Sequence, residues 1–384
     1  MALDTGLRRC DVSGALCARR GYNPAVDTKR YHDIISGRAA GFGASGWRVF
    51  LWLMSLLYGV VIRLRLLFYA IGILRKRKAP IPVVCVGNVS AGGTGKTPFV
   101  ALVCERLISM GMKPAIVSRG YRSLEFGAND EAKVLAELLP EVLHIQNPNR
   151  FEAVREVARR GANIAVLDDG FAHLRLKRDL DVLLFDGLRP FGYDALLPLG
   201  LLREPLRGAK RAQLAVITRA DISTPDIIRY TVGRLERLGF SGERVLYAEH
   251  AAQTLSRIDV SAETLPLDYL RGVQVALLCA IGNARGFAGT VEKAGAKIVE
   301  ETNLTDHFAY DDDWLKHHWP AIAKSAIERG ALYIVVTQKD AVKLRGRLSG
   351  SPIPVLELGV RMVVRGGNWA LDAALERVTG KSPT

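Results

Sequence analysis

Cysteine is scarce in this chain of 384 residues: Cys10, Cys17, Cys85, Cys104 and Cys279, with no CxxC pair among them. An odd number at these spacings builds neither a disulfide framework nor a zinc site, so the thiols read as reduced and structural, in a cytosolic compartment. Aromatic residues make up only 7%, and 39 acidic residues face 53 Lys and Arg. Internal repeats and low-complexity linkers are absent, and the first apolar run begins too late for a secretory signal. What is present is 49% hydrophobic residues on a length that suggests two packed units. That excludes a disordered tail protein and a collagen-like repeat.

The excess positive charge is local. Residues 1–80 hold 14 Lys and Arg against four Asp, which is +10 of the total +14. Residues 1–43 mix Arg pairs with Gly, Ala and Asp without any period and are expected to be poorly ordered. The segment 44–79 carries an uncharged apolar run over 49–62, then Arg63, Arg65, further apolar residues to Leu74, and the tetrad Arg75-Lys76-Arg77-Lys78. As a helix the run covers about 21 Å, short of the roughly 30 Å of a bilayer core. A crossing by the whole stretch would bury both arginines at about 2.5–3.5 kcal/mol each. The expectation is therefore a helix that dips into one leaflet, with Trp47, Trp52, Tyr58 and Tyr69 at the interface and the tetrad on anionic headgroups. A buried core helix with a basic cap is the competing reading. No nucleic-acid-binding module accompanies the basic residues, so no nucleic-acid partner is expected.

Residues 81–87 form a short run rich in β-branched residues, the pattern of a buried strand. Asn88-Val-Ser90-Ala91-Gly92-Gly93-Thr94-Gly95-Lys96-Thr97-Pro98 follows, then a helical pattern over 99–110. Strand, glycine-rich turn and helix are the context of a P-loop, in which backbone N–H groups meet phosphate oxygens. Lys96 is placed to reach the β- and γ-phosphates and Thr97 to ligate Mg²⁺. The strict pattern wants glycine at position 90, where this chain has Ser90. Further on, an apolar strand over 163–168 ends in Asp168-Asp169, the place of a carboxylate that holds Mg²⁺ beside a P-loop.

The run Asp168-Asp-Gly-Phe-Ala-His-Leu-Arg-Leu-Lys-Arg-Asp-Leu-Asp-Val-Leu-Leu-Phe-Asp186, with the deviant loop, resembles the tetraacyldisaccharide 4′-kinases of lipid A biosynthesis. Ser118-Arg-Gly-Tyr121, 196–205, Ile281-Gly-Asn283, Thr305-Asp-His307 and 336–344 match that family's motifs in order, over about 47–370. The resemblance implies ATP and Mg²⁺ as cofactors and phosphorylation of the 4′-hydroxyl of an acylated glucosamine disaccharide 1-phosphate. It implies that Asp130 and His307 act as a pair near the acceptor, alongside Lys96, and it accounts for Ser90. Ser90, Ala91, Gly92, Gly93, Thr94, Gly95, Lys96 and Thr97 are then the nucleotide loop, and Thr97, Asp168 and Asp169 the metal groups. Arg119, His173 and Arg175 are expected to face the acceptor. Arg203 and Glu204 read either as a mutual ion pair or as binding groups. The implied location is the cytoplasmic face of the bacterial inner membrane, with the lipid and the membrane surface as partners and no obligate protein partner. The chain departs from the family at Asn129-Asp-Glu-Ala132, Ala172 and Phe308.

Alternating apolar runs and helical patterns predict an α/β fold, a doubly wound parallel sheet of the P-loop type with a second, smaller α/β lobe and an N-terminal membrane-associated helix. The expected divisions are 1–43, 44–79, a nucleotide-binding core over 80–205 and a second lobe over 206–384, with substrates in the cleft between lobes. A membrane-associated P-loop GTPase switch or a partition-type ATPase remains the alternative. Against the first, Thr337-Gln338-Lys339-Asp340 has its lysine out of place for guanine reading, and against the second, Ala91 stands where a signature lysine belongs.

Overall fold

Five consecutive apolar or small residues, VVCVG, make a strand that must be covered on both faces, and β1 (Val83–Gly87) is buried throughout. The computed structural model describes residues 24–120, 130–260, 263–306 and 308–382. It divides the chain into two compact units: His32–Glu249 with Met362–Thr384, and His250–Arg361, with which the described residues up to Tyr31 are grouped.

In the first unit β1 is followed by β2 (Pro114–Ser118), β3 (Leu143–Gln146), β4 (Ile164–Asp168), β5 (Leu180–Asp186), β6 (Leu214–Thr218) and the start of β7 (Val245–Arg257). Their order is β3-β2-β4-β1-β5-β6-β7, every pair parallel. Successive residues of β1 face opposite cores. Val84 and Val86 pack with Phe99, Val103 and Leu107, whereas Val83 and Cys85 pack with Val154, Val157 and Leu235. The described helices are α1 (Pro24–Ile35), α2 (Phe42–Ala70), α3 (Lys96–Ser109), α4 (Asp130–Leu138), α5 (Arg150–Arg159), α6 (Pro225–Glu236), α7 (Ala284–Lys293), α8 (Asp312–Glu328), α9 (Gln338–Leu344) and α10 (Trp369–Thr379). The last returns to the first unit, where Leu371 and Leu375 are fully buried and Asp372 takes two bonds from Arg106, both 2.8 Å. In a parallel sheet of this order, ligands bind at the strand C-termini beside β1.

In the second unit β10 (Lys297–Asn303), β9 (Gln274–Cys279), β11 (Tyr333–Thr337) and β12 (Val355–Val364) pair in parallel in that order, with β8 (Thr264–Leu265) antiparallel to β7. The boundary expected near residue 205 falls inside the first unit, because β6 continues the sheet in register with β5 from Val182↔Leu214 to Asp186↔Thr218. Residues 24–43, expected to be poorly ordered, include α1, and Arg48 Nε donates to the Ile34 carbonyl at 2.9 Å. Residues 1–23 lie outside the described residues. Helix α2 runs unbroken through Arg63 and Arg65 for 29 residues, and its most apolar window, of mean hydropathy 1.8, is only 11% buried. It is long and apolar enough to cross a membrane by length and composition. Cys85, Cys104 and Cys279 are buried free thiols, pushed by that burial above their ordinary pKa, as structural cysteines are.

Candidate active site

The phosphate loop starts where β1 ends, and Gly87 is required there by crowding: a Cβ on it would lie 2.8 Å from Cβ of Phe171. Gly95 adopts the left-handed conformation (φ 81°) and opens α3 with no side-chain cap and no acidic residue in the first turn. The first N–H groups of a helix lack intrahelical acceptors, so an uncapped, glycine-led start is an anion site held ready. Gly92 and Gly93 are exposed, and open space surrounds the place of a Cβ on either. The loop is braced from behind. Thr218 Oγ1 donates to the Thr94 carbonyl and Arg219 Nη2 to the Gly93 carbonyl, both at 3.0 Å, while Asp186 holds Arg219 at 2.9 Å. Asn88 Nδ2 donates to Thr94 Oγ1 at 3.2 Å. Ser90 is buried in an antiparallel bridge with Leu202, so the residue that breaks the strict motif pairs with backbone instead of facing the open side of the loop.

Asp168 and Asp169 end β4, next to β1, with Asp168 in register with Val86. Asp168 is 5% exposed, and Thr97 at the start of α3 is 4% exposed. A hydroxyl and carboxylates are hard oxygen donors of the kind Mg²⁺ takes when phosphates and water complete its shell. No cluster of three His, Cys, Asp or Glu placed to hold a metal occurs among the described residues. Asp169 sits at φ 54°, a strained conformation for a residue with a side chain. Arg203 Nη1 donates to both its oxygens, at 3.0 and 2.8 Å. Burial works to raise the Asp169 pKa, but Lys96 and Arg203 outweigh it and hold the carboxyl below its ordinary value. Arg203 therefore does not pair with its neighbour: Glu204 accepts from Arg211 at 2.7 and 3.0 Å instead. Arg211 also lies over the Phe171 ring, 4.3 Å from its centroid, with Arg178 on the same ring at 5.7 Å. These two guanidiniums fix the residue that follows Asp168-Asp169-Gly170.

Of the expected acceptor-facing residues, His173 is half-buried, and its Nε2 has no hydrogen-bond partner among the described residues. Burial, followed by the fields of Arg150, Arg178, Arg65 and Arg175, pushes its pKa down to about 4, so the ring is neutral at pH 7. Arg119 and Arg175 are exposed at the ends of β2 and of the Asp168–His173 turn. Asp130 opens α4. The placement of its side chain and of His307 lies outside the described residues, so the expected pair is not seen together. Phe308 packs on Tyr310 and Trp314 with centroids at 5.3 and 5.0 Å.

Sequence reasoning missed Arg150 and Arg219. Arg150 begins α5, is 4% exposed, and feels Asp169, Arg119 and Asp168. A buried arginine in the first turn of a helix, against the macrodipole, is the signal that was there to read.

Helix α2 packs against this site through one stripe, Leu51, Ser55 and Gly59, while Trp47, Trp52, Leu53, Leu57 and Val61 face outward. In the second unit Asp340 is fully buried and accepts from Thr337 Oγ1 (2.7 Å), Tyr310 OH (3.0 Å) and the Ala280 amide (3.2 Å). The aspartate that a guanine reader would offer to a base is thus engaged by its own surroundings.

With this geometry in hand, comparison with known proteins is informative. Residues 47–379 match the family model for tetraacyldisaccharide-1-P 4′-kinase. The tetraacyldisaccharide 4′-kinase of Halothermothrix orenii is 35% identical over 77% of this chain and 83% of its own length. That of Geobacter sulfurreducens is 32% identical over 91% and 98%. Among solved structures, "apo" form LpxK from Aquifex aeolicus in complex with ATP superposes with a TM-score of 0.65 at 27% identity, covering 86% of this chain and 99% of that one. On these matches the chain belongs to the tetraacyldisaccharide-1-P 4′-kinase family.

Proposed function

We propose that this chain transfers the γ-phosphoryl group of ATP to the 4′-hydroxyl of a tetraacylated glucosamine disaccharide 1-phosphate, working from the cytoplasmic face of the bacterial inner membrane. The observation that carries the reading is the uncapped start of α3 at Gly95-Lys96 beside the Arg203-held Asp169, in a chain of this family. Backbone N–H groups of 92–97 and the Lys96 ammonium hold the phosphates. Thr97, Asp168 and Asp169 would hold Mg²⁺, which would supply charge neutralisation to the phosphates. Asp130, supported by His307, takes the proton of the 4′-hydroxyl as its oxygen bonds to the γ-phosphorus and the bond to the β–γ bridging oxygen breaks, releasing ADP. Arg119, His173 and Arg175 orient the acceptor, with His173 serving as a neutral hydrogen-bonding group. Positioning and electrostatics supply most of the rate. The outward face of α2, with Trp47 53% and Leu57 60% exposed, supports a monotopic seat in the bilayer.

The test is incubation of the full chain in mixed micelles with the disaccharide lipid, Mg²⁺ and γ-labelled ATP. Label in the lipid is expected; ATP consumption without lipid product overturns the assignment, and GTP in place of ATP should give little product.

A further inference from the structure

Three hydrogen bonds run from the apolar helix to carbonyl oxygens on the site it packs against. Ser55 Oγ donates to Leu196 at 3.0 Å, Tyr58 OH to Arg203 at 2.6 Å and Arg65 Nη2 to Ala172 at 3.0 Å. Tyr58 and Arg65 are seven residues apart, about two turns, so they share one side of the helix. Gly59 lies between them, where a Cβ would stand 3.0 Å from Leu196 Cδ1 and closer still to the Arg63 guanidinium. The helix approaches that closely because it carries no side chain there.

The middle bond reaches the residue with most leverage on the site. Arg203 gives its carbonyl to Tyr58 and its amide N–H to Val89 of the phosphate loop at 2.8 Å. Its guanidinium goes to both oxygens of Asp169. The neighbouring Leu201 carbonyl takes the Ala91 amide at 2.6 Å. One residue thus ties the helix, the loop and the strained carboxylate together. A part-buried carbonyl that loses its donor is left unsatisfied, and a backbone shift that lets it recover a partner moves the residue whose guanidinium holds Asp169.

We propose that Tyr58 is a positioning residue for phosphoryl transfer: its hydroxyl, on the inward side of the membrane-facing helix, sets Arg203 and through it Asp169 and the phosphate loop. The inference rests on the kinase and membrane readings above and adds that α2 is part of the catalytic frame as well as an anchor.

The variant is Tyr58→Phe in the full chain, which keeps the ring and its packing. Its kcat in mixed micelles should fall about tenfold or more, as expected when a reacting group is misplaced by a fraction of an ångström. The lipid KM should stay within twofold, half-saturation by Mg²⁺ should move upward, and sedimentation with anionic vesicles should be unchanged. Trp52→Ser on the outward face should do the reverse, weakening vesicle sedimentation while leaving kcat in saturating micelles intact. Unchanged kcat and Mg²⁺ dependence in Tyr58→Phe, or a loss of vesicle binding alone, overturns the proposal. Affinity for a fluorescent ATP analogue with Mg²⁺ is measured in parallel. If the wild type makes no phosphorylated lipid but Tyr58→Phe weakens that binding, the kinase reading falls and the positioning role stands.

Discussion

Two strand-to-helix turns in this chain share a plan and end in opposite chemistry. After β1 the chain passes through Gly92, Gly93 and Gly95 into α3, whose first turn has neither a cap nor an acid. After β11 it passes through Thr337, which caps α9 by accepting from the Asp340 amide, and the Asp340 carboxyl fills the space beneath. The first turn leaves its donors open and places cations around them; the second satisfies its polar groups internally, at the cost of burying a carboxyl whose pKa burial raises. A turn with open donors has a use for a ligand, and one with closed donors is architecture.

The largest test of that contrast is Lys96→Ala, which should lower kcat by about 10²–10³ or more with an unchanged melting temperature. A near-wild-type rate would make the open turn as inert as the closed one. Arg203→Gln removes the cation whose Nη1 donates to both Asp169 oxygens and should cost about tenfold in kcat, since the carboxyl loses a charge that favours its ionised form. Equal loss of nucleotide affinity and stability with no effect on rate would mean that Arg203 is only structural. Asp340→Ala, at the closed turn, should cost about 1–3 kcal/mol of stability in urea titration, because three donors lose their acceptor. It should leave the nucleotide affinity untouched, and a shift there would erase the distinction. The smallest effect is a slope with pH. His144, hydrogen-bonded to Ser118 Oγ at 2.9 Å, is pushed by burial from 6.5 down to about 4. Between those values the unfolded chain binds the extra proton, so stability is full above about 6.5 and declines as pH falls toward 4. His144→Gln should flatten that decline in melting temperatures taken at pH 4.5 and 7.

The central strands are legible where their signals are local: the apolar runs over 81–87 and 163–168 place β1 and β4 within two residues. β10 and β12 were not legible. KIVEETN is a polar strand at the rim of its sheet, and VLELGVRMVV breaks its apolar run with Glu357, Gly359 and Arg361. The phosphate loop and the two aspartates could be read from spacing alone. Arg203 with Asp169, 34 residues apart, and Arg219 with Gly93, 126 apart, could not, because only the folded chain brings them together. The same holds for α2: composition gave its apolar character, while the stripe that faces inward follows from where Leu196 and Arg203 come to lie.

Helix α10 has a consequence for the order in which the molecule is made. It covers the face of the first sheet that carries Val84, Val86 and Val182, yet it is separated from the rest of that unit by His250–Arg361. During synthesis from the N-terminus α2 and α3 emerge early, but the part of that face beside β5 lacks Leu371 and Leu375 until α10 has left the ribosome. A ribosome stalled anywhere in 250–361 therefore holds a chain whose first unit still lacks its last covering helix. The Arg106–Asp372 clasp marks the moment of completion.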